Sequence, residues 1–278
     1  IRPIWSEIDV PNPPTGLQRL VPAYSEALLA AADADQKIVA LDGDLVLDTG
    51  LIPFKERFPD RFFECGIAEQ DMVSQAGGMA LRGLLPVVHS FACFLSSRPN
   101  EHIYNNATER TKIMYVGALS GIIPGGPGHS HQSVRDVSAL AAMPGLVLIQ
   151  PATEREVALA VDYCLRVTKE STYLRLASVP VAVPFDLPRD YSLSEGVGVP
   201  ITEGYDAVMF SYGPVLLTEA FMAAEQLRNY GIGLRVVNLP WLNRVDRDWL
   251  ANEIVGKKWM FSLDDQYTIG GQGQMLMS

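Results

Sequence analysis

From Val21 onward the chain alternates short apolar runs with longer amphipathic ones. "AYSEALLAAADAD" repeats its apolar positions at helical spacing. "KIVALDGDL" reads as a buried strand that ends in a loop of acids. "EQDMVSQAGGMALRG" predicts a helix, and "LPVVHSFACF" a strand running into another helix. "KIMYVGAL" predicts a strand, followed by the glycine-rich loop "SGIIPGGPGHSHQS". "GLVLIQPAT" is a strand closed by proline, "EREVALAVDYCLRV" an amphipathic helix, and "STYLRLA" a last strand. Apolar strands alternating with helices predict a parallel sheet covered on both faces, an α/β fold. The pattern restarts near residue 200 with "DAVMFSYGP", "VLLTEAFMAAEQLRNYG", "LRVVNLP" and "KKWMFSLDDQ". The expected organisation is a proline-rich arm (1–20), a first three-layer domain (21–180), a linker (181–199) and a second parallel-sheet domain (200–278). The second has few elements, so it is expected to be truncated, with more chain to follow.

Composition narrows the class. The chain has 278 residues, 48% hydrophobic and 19% charged, an ordinary make-up for a soluble globular protein. A net charge of −10, with no basic stripe, argues against nucleic-acid partners. No apolar run is long enough to span a bilayer, and the N-terminus lacks the pattern of a signal peptide. Because the chain opens on Ile1, it is expected to be trimmed. Cys65, Cys93 and Cys164 form no CxxC pair and suit a reducing cytoplasm. The four histidines lack metal-ligand spacing, so no metal site is expected on this chain.

One carboxylate stands out. In "FFECGIAEQDM", Glu69 follows Gly66, Ile67 and Ala68 and precedes the small-residue run "SQAGGMALRG". Taken alone, it reads as an acid stabilised at a helix N-terminus. Phe91 and Phe94, at i and i+3, share one side of a helical turn, as core aromatics often do. Asp44 closes an acidic loop after a strand, and His129 and His131 lie in the glycine-rich loop. His89 reads as a core residue or one near the candidate rings.

Together "GIAEQDMVSQAGGMALRGLLPVVHSFACF" and "GHSHQSVRDVSALAAMPGLVLIQPATEREV" resemble the pyrimidine-binding domain of transketolase-like thiamine diphosphate enzymes. That family includes transketolases, deoxyxylulose-phosphate synthases and the beta subunits of 2-oxo acid dehydrogenases. The resemblance continues more weakly through "FSYGPVLLTEAF", "LRVVNLPWLNRVD" and "LDDQYTIGGQG". It implies a pyrimidine-binding domain followed by a transketolase C-terminal domain. It also implies that Glu69 hydrogen-bonds N1′ of the cofactor's aminopyrimidine, which prepares the thiazolium C2 proton for removal. Phe91 and Phe94 would stack on that ring, Asp44 would lie near the cofactor, and His131 would face the substrate. The tyrosine that many transketolases carry one turn later is here Ser97.

The family's diphosphate–magnesium motif, a GDG followed by an Asn pair, is not found; Asn105 and Asn106 are misplaced for it. The resemblance therefore implies a split enzyme. A partner subunit would hold most of the thiamine diphosphate and Mg²⁺, in an α2β2 heterotetramer that transfers a two-carbon ketol or acyl unit. A dehydrogenase-beta-like subunit serving a carrier thiol, and a non-catalytic subunit, remain open alternatives. The resemblance also implies that several substrate contacts are replaced: Asp48, Leu119 and Ser178 stand at phosphate positions and Pro127 at a sugar-hydroxyl position. Arg175 and Arg98 lie near the right stretches, and Arg175 is the candidate substitute for a phosphate contact.

Overall fold

The computed structural model describes residues 16–278, so the arm expected over residues 1–20 lies outside it except for its last five positions. The elements run β1 (Leu17–Gln18), α1 (Leu20–Ala34), β2 (Ile38–Asp42), α2 (Ile52–Arg57), β3 (Phe62–Glu64) and α3 (Glu69–Leu81). They continue with β4 (Leu85–Phe91), α4 (Ala92–Ser97), α5 (Asn100–Thr108), β5 (Met114–Ala118), α6 (Asp136–Leu140), β6 (Leu146–Ile149), α7 (Glu154–Asp162) and β7 (Ser171–Arg175). After β8 (Val181–Ala182) and β9 (Val199–Pro200) come β10 (Ala207–Ser211), α8 (Pro214–Arg228), β11 (Leu234–Asn238), α9 (Arg247–Ile254), β12 (Trp259–Ser262) and α10 (Gln272–Met277).

Six strands form the first sheet, in the order β3-β2-β4-β5-β7-β6, with every pairing parallel. Successive side chains of a strand point to opposite faces, and both faces are apolar here. Ile38 and Ala40 of β2, Val87 of β4, and Met114 and Val116 of β5 join one core. Val39, Leu41, Val88 and Tyr115 join the other. Helices α1 and α7 cover the first face through Leu20, Tyr24, Leu28, Val157 and Val161. Helices α3 to α6 cover the second through Met72, Val73, Leu95, Ile103 and Val137. Part of the small-residue run serves this packing: a Cβ on Gly77 would sit 2.1 Å from Asn106 Oδ1, so a larger residue would push the Asn106 side chain of α5 off its bond to Val73 O.

The second sheet, β12-β10-β11-β9, has a parallel centre and a two-residue antiparallel strand, β9, at one edge. The stretch expected to be a linker is packed rather than free. Val183 and Phe185 are buried with Leu217 and Ala220 of α8. The domains also share a core, because Phe210, Val237 and Trp241 cluster with residues of the first sheet. Main-chain bonds from Gln150 N to Pro240 O (2.9 Å) and from Leu242 N to Leu148 O (2.9 Å) join the domains.

Strands β2 and β4 lie side by side, while the chain proceeds from β2 outward to β3 and from β4 the other way to β5. In such sheets ligands collect at the carboxyl ends of the strands where the direction of winding changes. Asp42 and His89, paired across β2 and β4, mark that place.

Candidate active site at the carboxyl edge of the first sheet

Glu69 is the first residue of α3 and is 2% exposed. A helix N-terminus tolerates an acid, but burial demands a partner, and Arg98 Nη1 donates to Glu69 Oε1. Phe91 ends β4, and Phe94 lies in the first turn of α4. The turn brings their ring centroids to 5.8 Å. His131 packs edge-on against both, at 6.0 Å from Phe91 and 5.1 Å from Phe94. The Arg98 guanidinium lies 3.8 Å from the Phe94 centroid. One connected group thus holds Glu69, Arg98, Phe94, Phe91 and His131, drawn from three separate parts of the chain. Ser97 is exposed and donates to Cys93 O at 2.6 Å.

Asp44 stands apart from this group. It is exposed, at φ 64°, and its amide donates to Glu64 Oε1 at 2.9 Å. Its neighbour Asp42 is the buried acid of the loop, accepting from Leu45 N (2.5 Å) and Thr49 Oγ1 (2.8 Å). Burial pushes the Asp42 carboxyl up to about 6 despite those bonds, and the charges of Glu64 and Asp44 add to the rise.

His89 is a core residue. Its Nδ1 meets Leu41 O at 3.0 Å, and its Nε2 meets Tyr24 Oη at 2.5 Å. A carbonyl only accepts, so Nδ1 carries the proton and Nε2 accepts from the tyrosine. Burial lowers its pKa to about 4. His129 is exposed in the glycine-rich loop. Burial raises Cys65 and Cys93 to about 11, which leaves both as thiols rather than nucleophilic thiolates.

Arg175, the candidate substitute for a phosphate contact, lies in a closed setting. It is fully buried, and every guanidinium nitrogen is engaged. Nε donates to Asp136 Oδ2 (2.7 Å), Nη2 to Asp136 Oδ1 (3.2 Å), Ser133 O (3.1 Å) and Asp265 Oδ1 (3.3 Å), and Nη1 to Gln150 Oε1. Burial alone would lower its pKa, but Asp136 and Asp265 hold it above its ordinary value. Tyr173 and Gln266 also bond Asp136, and Tyr212 bonds Asp265. No donor is left for a substrate. Arg175 is a strut that fastens the loop carrying His131 to β7 and to the second domain.

The residues expected to replace substrate contacts are placed as follows. Ser178 accepts from Leu119 N at 2.8 Å, and Leu119 sits at φ 53°, while Asp48 and Pro127 are exposed. Sequence reasoning did not find the Glu69–Arg98 pair, Asp42 or the Asp136–Asp265 clamp. Arg98 was legible as an arginine one helical turn past Phe94, and Asp265 lies within the "LDDQ" stretch. Among the described residues no three or more His, Cys, Asp or Glu side chains converge to hold a metal. No helix among them is long and apolar enough to cross a membrane.

The fold defines a class: a pair of packed α/β domains with a candidate site at the carboxyl edge of the first sheet. The chain belongs to the transketolase family. Residues 19–178 match the family described as "Transketolase, pyrimidine binding domain", and residues 196–278 match "Transketolase, C-terminal domain". Among curated relatives, a 1-deoxy-D-xylulose-5-phosphate synthase of Desulfitobacterium hafniense is 28% identical over 97% of this chain and 42% of its own length. The chain therefore spans less than half of that relative. A 6-deoxy-6-sulfo-D-fructose transketolase subunit, SqwH, of a Clostridium species is 30% identical over 90% of this chain and 77% of its own length. Among solved structures, a split-gene transketolase in an inactive β4 tetramer superposes with a TM-score of 0.83 at 28% identity, over 94% of this chain and 84% of the other. The transketolase of Campylobacter jejuni shares the fold, with a TM-score of 0.78 at 17% identity over 90% of this chain and 43% of the other.

Proposed function

We propose that this chain is the pyrimidine-binding and C-terminal subunit of a split, thiamine diphosphate-dependent transferase that moves a two-carbon ketol or acyl unit. The observation that carries the reading is Glu69, a buried carboxylate at the start of α3 that shares one cluster with Phe94, Phe91 and His131. An acid and flat rings on one connected surface fit an aminopyrimidine, which needs a hydrogen-bond partner at N1′ and a surface to stack on. Thiamine diphosphate, when bound, supplies an acidic carbon and an electron sink for cleaving and forming bonds next to a carbonyl. Glu69 would hold a proton at N1′, and its burial keeps water from competing for that bond. Phe91 and Phe94 would orient the ring. His131, half-buried beside them, would donate to an oxygen of the substrate as negative charge develops there. Asp44 would flank the site from the β2 loop.

The diphosphate and Mg²⁺ would be held mainly by a partner subunit, in an α2β2 complex that works in the cytoplasm. Two findings support a partner: the resemblance to a split-gene transketolase and the relative named as a subunit. The test is titration of thiamine diphosphate with Mg²⁺ into the chain alone and into the chain co-purified with its partner. Tight, Mg²⁺-dependent binding only in the complex is expected. Equally tight binding by the chain alone would refute the division of the site between subunits.

A further inference from the structure

Arg98 makes two contacts, and both belong to groups that the proposed function assigns to the cofactor. Its guanidinium donates to the buried Glu69 carboxylate and lies on the face of the Phe94 ring at 3.8 Å from the centroid. The placement follows from local structure. Arg98 caps α4 four residues after Phe94, and helical side chains lean back toward the N-terminus, so the arginine falls over the aromatic ring. A guanidinium is planar, carries N–H donors at its edge and stacks on aromatic faces. An aminopyrimidine stacked on phenylalanine presents a flat face against the ring and, when N1′ carries the proton it shares with the acid, a donor edge toward the carboxylate.

We propose that Arg98 is a built-in surrogate for the aminopyrimidine, holding Glu69 and Phe94 in working geometry until the cofactor displaces it. This inference rests on the reading of the chain as a thiamine diphosphate subunit. Physical need supports it, because a carboxylate only 2% exposed is costly without a partner, and among the described residues Arg98 is the cation that reaches it. The arginine itself is 37% exposed, so it has a route into solvent that Glu69 lacks. Displacement exchanges one stacked, hydrogen-bonded plane for another. The subunit alone therefore competes with its own ligand, and affinity for the pyrimidine half is reduced by the fraction of chains in which Arg98 is seated. Arg98 is in this sense a positioning residue that also sets the threshold for loading.

The test uses thiamine, which lacks the diphosphate expected to bind the partner, titrated by calorimetry into the wild-type chain, Arg98→Ala and Arg98→Gln. Circular dichroism and thermal melts confirm the fold of each, and Arg98→Gln serves if the alanine variant does not fold. The expected result is at least a tenfold gain in affinity on losing the arginine, abolished when Glu69→Gln is added. A merely structural arginine would not raise affinity on removal. Equal or weaker binding by both Arg98 variants would overturn the proposal. If no form of the single chain binds thiamine but the reconstituted complex binds thiamine diphosphate, the surrogate is refuted and the cofactor reading stands. If the complex binds none either, the cofactor reading fails and the surrogate falls with it.

Discussion

Replacing Asp136 by asparagine tests the reassignment of Arg175 from substrate contact to structural strut. Asp136 and Arg175 are both fully buried, and the carboxylate accepts two bonds from the guanidinium and one each from Tyr173 and Gln266. Removing one member of a buried ion pair typically costs about 3–5 kcal/mol, because the remaining charge is left uncompensated. Asp265 still lies 3.3 Å from Arg175, so the lower end, about 3 kcal/mol, is expected. The domains share a core, so one unfolding transition is expected. At about 2.1 cal/mol/K per residue, a chain of 278 residues has an unfolding entropy of about 0.6 kcal/mol/K. Asp136→Asn should then lower Tm by about 5 °C in calorimetry. A double-mutant cycle with Arg175→Met should give a coupling of at least about 1 kcal/mol. A Tm unchanged within 1 °C, together with weakened substrate binding, would refute the strut and restore the substrate role.

Two further predictions concern pH and substrate. His89 titrates at about 4 when folded, below its ordinary 6.5, so the unfolded chain binds more protons between those values and stability falls as pH drops through them. Asp42, raised to about 6 from 3.8, works in the opposite sense: its contribution is full below 3.8 and is lost as pH rises through 6. The wild type should therefore change little between pH 7 and 4 from this pair. Asp42→Asn, left with only the histidine, should lose about 3 kcal/mol more than wild type over that interval in denaturant melts, and parallel profiles would contradict the assignment. With Asp48, Leu119 and Ser178 at the phosphate positions, Pro127 at a sugar-hydroxyl position and Arg175 sealed, phosphorylated donors and acceptors should gain little. A tenfold or larger kcat/KM advantage for the phosphorylated member of both matched pairs would sink that expectation.

Much of this was legible in the chain, and the failures have physical causes. In β4 the adjacent Val87 and Val88 fill opposite cores, so a strand covered on both faces shows as consecutive apolar residues rather than an alternation. Phe91 ends a strand and Glu69, Phe94 and His131 each follow one, and parallel strands put such residues on one edge. Strand β3 was missed because three residues, one of them Glu64, carry no usable period. Helices α2 and α6, of six and five residues, are too short to show one. The burial of Arg175 was not legible, because its partners Asp136 and Asp265 lie 39 and 90 residues away. The Glu69–Arg98 pair spans 29 residues and two helices, so no local pattern announces it.

The central claim, that Glu69 serves a proton at the cofactor's ring, is tested most directly by turnover of Glu69→Gln in the reconstituted complex at saturating thiamine diphosphate and Mg²⁺. The amide keeps the size of the side chain and can still bond Arg98, so the subunit should fold and assemble as wild type. It cannot share a proton with N1′ in the same way, and losing a proton-transfer group typically reduces rate by about 10²- to 10⁴-fold. A fall of that size in kcat, with the fold intact, is the predicted result, and a kcat within a few-fold of wild type would contradict the account.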